Sequence, residues 1–191
     1  MNIVRTSLFE SIDIKSHLLS RGLNPNTKGV YIDEESGDAN FLLYNLSGQL
    51  VGYQKYNPNY PKISGAGRDA RYYNYVSKEG NRSMLAVWGL HVYDPQSDIL
   101  FVTEGIFDAV KIHNAGYPAI AILANDPAPL RGWLKTLNQI IIVISDNDAA
   151  GKRLNKYGDY HFTVQGAKDL GDLSQEAANE FIENIIETII K

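Results

Sequence analysis

The stretches that decide the fold are ILFVTEGIFD at residues 99–108 and IIIVISDNDAAG at residues 140–151. Each begins with an apolar run of strand length and passes directly into acidic residues, with a glycine in the first few residues after the strand. Such runs, bounded by turn residues, are typical of strands buried on both faces of a parallel sheet. Binding sites of open α/β sheets form where these strands end, so the two acidic ends predict one shared site. Carboxylates that meet there suit a divalent cation of the kind used on phosphates.

Length and composition are those of a globular protein with a substantial core. The 191 residues are enough for one large domain or two small ones, and 44% of them are hydrophobic. No apolar run reaches the roughly 18 residues of a membrane span, and residues 1–5 do not begin a signal peptide. The chain has no cysteine, which excludes disulfides and cysteine-ligated zinc. We therefore expect a cytoplasmic protein without a membrane partner.

The first half of the chain predicts a short helix followed mainly by strands. Residues 12–22 have the apolar spacing of a helix. The apolar runs 41–46 and 50–56 flank a Ser-Gly-Gln turn, which is typical of a β-hairpin. A further strand, rich in tyrosine, is predicted at 71–76.

Strands and helices alternate after the turn residues 94–98. This order predicts a parallel sheet with right-handed crossovers. The fold class is therefore α/β, a parallel sheet flanked by helices, preceded by a smaller mixed α+β basic subdomain. We expect the two parts to be residues 1–97 and 98–191. The predicted strands are 99–103, 118–123, 140–145 and 161–164, and the predicted helices are 106–114, 128–137, 149–157 and 174–190.

Acidic residues follow three of these predicted strands. Glu104 and Asp108 stand four apart at a strand-to-helix junction, although acids also favour a first helical turn because of the helix dipole. Asp146 and Asp148 alternate at a strand end and can face one cation, whereas the structural alternative is a helix cap and a turn. Asp169 begins a third acidic turn, KDLGD at 168–172. Three clusters at successive strand ends favour one common site.

The charge is distributed unevenly. The chain carries a net charge of −4, which by itself argues against nucleic-acid binding. Residues 48–82, however, contain six basic and two acidic residues, while 99–191 contain eight basic and twelve acidic residues. A basic segment facing an acidic site suits a metal-dependent enzyme that acts on a polyanion. An ordinary solvated surface of mixed charge is the alternative.

Six tyrosines cluster in the same basic region of the chain. Aromatic rings there are able to stack on nucleic-acid bases, although half-buried strand positions are the commoner use of such tyrosines. They are Tyr53, Tyr56, Tyr60, Tyr72, Tyr73 and Tyr75.

The acidic motifs resemble the Toprim domain of primases, topoisomerases and some nucleases. The Glu-Gly-x-x-Asp pattern at 104–108 is similar to the primase branch of that family. The upstream segments GQLVGY at 48–53, RYYN at 71–74 and WGL at 88–90 resemble the basic subdomain of DnaG-type and phage primase-helicase enzymes. The resemblance covers residues 12–172. The third acidic turn has one residue more between its acids than the family pattern, and the family's cysteine-based zinc domain is absent.

The resemblance implies a function and a set of site residues. It implies a DNA primase core that joins ribonucleoside triphosphates on a single-stranded DNA template, with a replicative helicase as a further partner, in bacterial or phage-infected cytoplasm. Glu104, Asp146 and Asp148 would be catalytic and would bind Mg²⁺ or Mn²⁺, with Asp108 and Asp169 as further ligands. The basic face for template or nucleotide phosphate would be formed by Lys55, Arg68 and Arg71. The alternatives are a Toprim-type nuclease and a non-catalytic nucleic-acid-binding module.

Overall fold

The structure, a computed structural model, describes residues 11–62, 67–123, 128–146 and 151–190. Residues 1–5, from which no signal peptide is expected, lie outside this part, as do Asp148 and the start of the predicted helix at 149–157. The four α-helices of the described part are α1 (Ile14–Ser20), α2 (Ile106–Asn114), α3 (Leu130–Leu134) and α4 (Gln175–Ile190).

The first half forms an antiparallel sheet of four strands in the order β1-β2-β3-β4. Asp13 caps the helix α1 that precedes it, and its carboxylate accepts a hydrogen bond from the Ser16 backbone N–H at 2.7 Å. The predicted hairpin is β2–β3, with a register shift at Leu43 and Tyr44. The strands are β1 (Val30–Asp33), β2 (Asp38–Tyr44), β3 (Leu50–Tyr56) and β4 (Tyr72–Val76), followed by the short ribbon β5 (Lys78–Glu79) and β6 (Arg82–Ser83).

The second half forms the parallel sheet that the sequence predicts, in the order β10-β9-β7-β8. Its strands are β7 (Ile99–Thr103), β8 (Ala119–Ala121), β9 (Ile140–Ser145) and β10 (Tyr160–Thr163). The predicted helix at 128–137 shortens to α3, which has Gly132 in its middle, a residue with low helix propensity. The predicted helix at 149–157 is a 3₁₀ helix over Gly151–Tyr157.

A short extended segment at 87–88 joins the two sheets. Val87 exchanges backbone hydrogen bonds with Tyr44 of β2, and Trp88 exchanges them with Ala121 of β8, all between 2.9 and 3.0 Å. Gly89 follows with φ of +100°, and a Cβ there would lie 2.4 Å from the Ala119 carbonyl oxygen. Only glycine satisfies both conditions, so this residue fixes the connection between the sheets.

The two faces of the parallel sheet pack into separate cores. Leu100 and Val102 point toward α3, whereas Phe101 between them points toward α2, α4 and the antiparallel sheet. The core on the Phe101 side also contains Phe41 and Trp88, whose ring centres lie 6.4 Å apart in an edge-to-face arrangement. Side chains from residues 1–97 and from residues 98–191 both contribute to this core. The predicted division of the chain into these two parts stays a prediction. No helix in the described ranges is both long and apolar enough to cross a bilayer.

Candidate functional site

Three neighbouring strands of the parallel sheet are each followed by an acidic residue, and all three residues lie at the carboxyl ends of the strands. Glu104 directly follows β7, Asp146 directly follows β9, and Asp169 lies beyond β10. Thr103 and Ile144 are paired in the register of β7 and β9, so these two strands end side by side. All three carboxylates line a single cavity of about 400 Å³. The structure therefore brings Glu104, Asp146 and Asp169 to one crevice; Asp148 lies outside the described residues.

Asp108 connects the first acidic motif to the third. Its Oδ1 atom accepts a hydrogen bond from the backbone N–H of Gly171 at 2.7 Å. Gly105 makes room for the same side chain, since a Cβ on Gly105 would lie 2.7 Å from Asp108 Oδ2. The spacing Glu-Gly-x-x-Asp thus has a packing reason in addition to a chemical one.

Asp108 is buried, with 7% of the residue exposed. Burial, together with the nearby charges of Asp169 and Asp146, raises the pKa of this carboxyl to about 7. Hydrogen bonds from the backbone of Gly171 and Gly105 work in the opposite direction. A buried acid whose pKa is raised to near neutrality by burial and by neighbouring acids, in a crevice, is a candidate for a functional site.

The antiparallel sheet and α1 form the opposite wall of the crevice. Gln54 and Asn74 stand on adjacent strands there, and the Gln54 side-chain amide donates to Asn74 Oδ1 at 2.8 Å. Arg21, at the end of α1, lies 4.4 Å from the centre of the Phe107 ring and 3.6 Å from the carboxylate of Asp172. The crevice is thus acidic on the parallel-sheet side and largely basic and amide-bearing on the other; the residues of this second wall are Arg21, Gln54, Tyr56, Lys62, Arg71, Tyr72 and Asn74.

Two lysines meet at the rim of the crevice. The Lys168 ammonium lies 3.0 Å from Asp169 Oδ2. Hydrogen bonding to Lys62, and then to Asp169, raises the pKa of Lys168, while the contact with Lys168 lowers the pKa of Lys62. An anion placed between these lysines would favour the charged form of both.

The predicted basic residues are placed differently from one another. Arg71 lines the crevice, and its Nε donates to the Tyr60 carbonyl at 3.1 Å. Lys55 lies on the other side of β3, with its ammonium 3.6 Å from Asp38 Oδ2. Arg68 is exposed in the 3₁₀ turn Gly67–Asp69, and neither it nor Lys55 is among the described residues that line the cavity. Their binding role stays a prediction.

Sequence reasoning missed several crevice residues. Arg21 and Lys62 belong to a helix end and a loop that carry no motif, so only tertiary structure identifies them. The sequence does indicate the position of Gln54. It lies between Tyr53 and Lys55 in a predicted strand, so its side chain must face the side of the sheet opposite to theirs. Lys168 lies next to the predicted ligand Asp169 and could have been included with it.

The donor set partly fits a divalent cation. Within the described ranges, no three acidic, histidine or cysteine side chains form a group that would hold a metal by itself. Asp169 Oδ1 is nevertheless buried without a hydrogen-bond partner, as is expected for an oxygen that awaits a cation. Mg²⁺ commonly uses one or two carboxylates and completes its shell with water and substrate phosphates. The crevice therefore fits a divalent cation whose coordination shell is completed by water and substrate.

Comparison with known proteins gives matches in structure alone. No family model matches the chain, and no curated protein matches its sequence. The E. coli primase catalytic core superposes with a TM-score of 0.58 at 17% identity, covering 79% of this chain and 52% of that one. The chain has the fold of a primase catalytic core. A DnaG primase catalytic domain bound to single-stranded DNA matches with a TM-score of 0.57 at 16% identity over 91% of this chain and 58% of that one.

The primase-core fold extends to phage enzymes. The primase fragment of the bacteriophage T7 primase-helicase matches with a TM-score of 0.52 at 16% identity, over 77% of this chain and 62% of that one. The chain thus spans between half and two thirds of the length of these structures. The predicted fold class and the resemblance to primase cores are confirmed at the level of fold.

Proposed function

We propose that the chain is the catalytic core of a DNA primase, which joins ribonucleoside triphosphates on a single-stranded DNA template. The observation that carries the proposal is the two-sided crevice, with Glu104, Asp146 and Asp169 on one wall and Arg71 on the other. A nucleotidyltransferase needs this division, because the reacting triphosphate and the nucleic-acid backbone are both polyanions. The matching DnaG domain was solved with single-stranded DNA, which supports the same ligand here.

Glu104, Asp146 and Asp148 would hold Mg²⁺ or Mn²⁺, with Asp108 and Asp169 in support. When bound, the cation would neutralise charge on the triphosphate and lower the pKa of the attacking 3′-hydroxyl. Asp108 would act mainly by position, because its Oδ1 is engaged by the Gly171 backbone. The unpartnered Oδ1 of Asp169 makes that residue the better candidate for direct contact.

The basic wall would bind phosphate. Lys62 and Lys168 form a pair that an anionic phosphoryl group would stabilise in the fully charged state, so we assign the nucleotide triphosphate to them. Arg71, directed into the crevice and anchored by the Tyr60 carbonyl, would hold a template phosphate. Lys55 and Arg68, outside the cavity lining, would contact template beyond it.

The amide pair on the antiparallel sheet would face the nucleotides. Gln54 and Asn74 hold each other through one hydrogen bond and keep further donors and acceptors for base or sugar edges. Tyr72 is 37% exposed beside them and offers a ring face to a base. A replicative helicase would supply the template, as in the T7 protein whose name joins the two activities. The enzyme would then act in the cytoplasm of a bacterial or phage-infected cell.

Incorporation of labelled ribonucleotides on single-stranded DNA, with Mg²⁺ or Mn²⁺, tests the proposal. Template-dependent RNA products support a primase. Shortening of a labelled strand without synthesis would assign the crevice to a Toprim-type nuclease, which would use the same carboxylates. Binding without either reaction would leave a non-catalytic nucleic-acid-binding module.

A further inference from the structure

The antiparallel sheet has a second face, directed away from the crevice. Alternation along β3 and β4 puts Gln54 and Asn74 toward the crevice and Tyr53, Tyr73 and Tyr75 on the opposite side. These three residues, which we call the outer tyrosine face, form a continuous set of rings. The Tyr53 ring centre lies 5.6 Å from that of Tyr75, nearly parallel to it, and 6.5 Å from that of Tyr73.

The outer tyrosine face is accessible to solvent. Tyr75 is 50% exposed, and Tyr53 and Tyr73 are partly exposed. Neither of the two hydrophobic cores in the described part of the chain includes any of the three. Half-buried strand positions are the commoner use of tyrosine, but rings that touch one another at the surface also offer a face on which a further ring can stack.

The surroundings of this face favour a polyanion. Arg68 is exposed in the turn just before β4, and its backbone carbonyl accepts a hydrogen bond from the Lys55 ammonium. Lys55 lies directly opposite Tyr73 in the β3–β4 register, on the outer side of the sheet. Its ammonium lies 3.6 Å from Asp38, which also accepts a hydrogen bond from the Asn57 side-chain amide at 2.7 Å. Lys55 and Arg68 are therefore the cations that a phosphate backbone would meet beside this face.

Strand β4 connects this face to the crevice. It is an edge strand of the antiparallel sheet. Its side chains alternate between the two faces of that sheet, with Tyr72 toward the crevice and Tyr73 on the outer face. Arg71, at the start of this strand, lines the crevice, and Arg68 is exposed just before it. A nucleic-acid strand leaving the crevice past β4 would meet cations first and the tyrosine rings next.

We propose that the outer tyrosine face is a second binding surface for single-stranded nucleic acid, on which bases of the strand outside the crevice stack. Stacking on aromatic side chains tolerates any base, which suits a template of varying sequence. A four-stranded sheet with exposed rings is also a geometry that single strands use elsewhere. The proposal rests on the proposed function, which provides the single strand, and adds a surface on the opposite side of the sheet.

Binding of a fluorescent oligothymidylate of about 20 nucleotides, followed by anisotropy, tests the proposal. We expect the double variant Tyr73→Leu with Tyr75→Leu to weaken binding about fivefold or more, the loss of at least one stacked base. The variant Tyr73→Phe with Tyr75→Phe keeps the rings and should bind as the wild type does. Tyr160→Leu, a change at a 43% exposed tyrosine of β10, is the matched control and should have no effect.

A second measurement uses the unaltered protein and does not depend on the folding of a variant. Ultraviolet crosslinking to an oligonucleotide that carries 5-iodouracil should label the peptide that contains Tyr73 and Tyr75, and not the one that contains Tyr160. Labelling confined to peptides of the crevice wall would overturn the proposal.

The outcomes separate this surface from the primase assignment. If Arg71→Ala weakens binding and the leucine variant does not, the outer face is not a nucleic-acid surface, and the proposed function stands. If the wild-type protein binds no single strand, both fail. If the leucine variant binds normally but a dimer seen by sedimentation dissociates, the face belongs to a second copy of the chain and the proposal is wrong.

Discussion

Asp108 and Gly171, 63 residues apart, are joined by a buried hydrogen bond of 2.7 Å from the glycine backbone N–H to the carboxylate. This bond fixes the acidic turn after β10 to the first turn of α2. Two of the three acidic motifs therefore form one structural unit before any ligand binds. A third residue, Gly105, is required for it, because a side chain there would occupy the position of the carboxylate.

Gly105→Ala should disturb the site more than the fold. The new Cβ would lie 2.7 Å from Asp108 Oδ2, so this carboxylate and the turn bonded to it must shift. We expect nucleotide incorporation to fall at least about tenfold, with a stability loss of about 1–3 kcal/mol. Gly132→Ala is the control: its Cβ would meet nothing within 4 Å, and it should stabilise α3 by about 0.5–1 kcal/mol without affecting activity. Wild-type incorporation by Gly105→Ala would contradict this role.

Asp108→Asn and Asp108→Ala should differ in stability. Asparagine keeps an oxygen for the Gly171 N–H and removes a charge that is costly to bury, whereas alanine leaves the buried N–H without a partner. Urea unfolding without metal should show the alanine variant to be less stable than the asparagine variant by about 1–3 kcal/mol. Equal stability of the two would mean that the bond to Gly171 is not a determinant of the fold.

The apolar patterns predicted the parallel sheet well because each of its strands is buried and each is bounded by turn residues. The strands 99–103 and 140–145 agree with β7 and β9 at both ends. The pattern could not give the strand order, nor reveal that Val87 and Trp88 join the sheets, since two isolated backbone bridges leave no periodic signal. Likewise Arg21 comes to the crevice only because α1 ends beside Phe107.

Side chains along a β-strand point alternately to the two faces of its sheet, so the sequence alone can assign the basic residues of β3 to one face or the other. Applied to β3, this alternation separates Gln54 and Tyr56 from Lys55, and the structure places them on opposite sides of the sheet. A count of charges along 48–82 combines both sides and so cannot distinguish a crevice residue from an outer one.

Histidine burial should lower the free energy of unfolding in mild acid, whereas Asp108, whose pKa is raised to about 7, contributes in the opposite direction because its folded form binds a proton first. Burial lowers the pKa of His113 to about 4, whereas an unfolded histidine titrates near 6.5. The unfolded state then binds this proton first, so the contribution of His113 to stability is complete above about pH 6.5 and is lost as the pH falls toward 4, by about 1–2 kcal/mol at pH 5. Burial also lowers the pKa of His17 and His91, which adds to the effect.

His113→Gln tests this contribution. Glutamine can replace the hydrogen bond from His113 Nε2 to the Ala119 carbonyl, now 2.9 Å long, without a group that titrates. Between pH 7.5 and pH 5, the melting temperature of the variant should be lowered less, or raised more, than that of the wild type, because Asp108 contributes equally to both proteins. Parallel curves would show that His113 is not responsible.

Arg71→Ala should reduce the salt dependence of single-stranded DNA binding. If the guanidinium in the crevice contacts one phosphate, its loss lowers the slope of log K against log salt by nearly one unit and weakens binding at low salt. Arg131→Ala removes an exposed arginine of α3, beyond the opposite face of the parallel sheet, and should leave the slope unchanged. An unchanged slope in Arg71→Ala would remove this residue from the binding site.

The variant Asp146→Asn tests most directly whether this crevice is a primase active site. The measurement is ribonucleotide incorporation on single-stranded DNA with Mg²⁺. The change preserves size and removes one negative charge from the crevice end of β9, so incorporation should fall by about 10²-fold or more. Asp98→Asn makes the same change at an exposed residue at the opposite end of the sheet and should synthesise as the wild type does. Melting curves confirm that both variants fold. Full incorporation by a folded Asp146→Asn, or none by the wild type, would contradict a primase active site in this crevice.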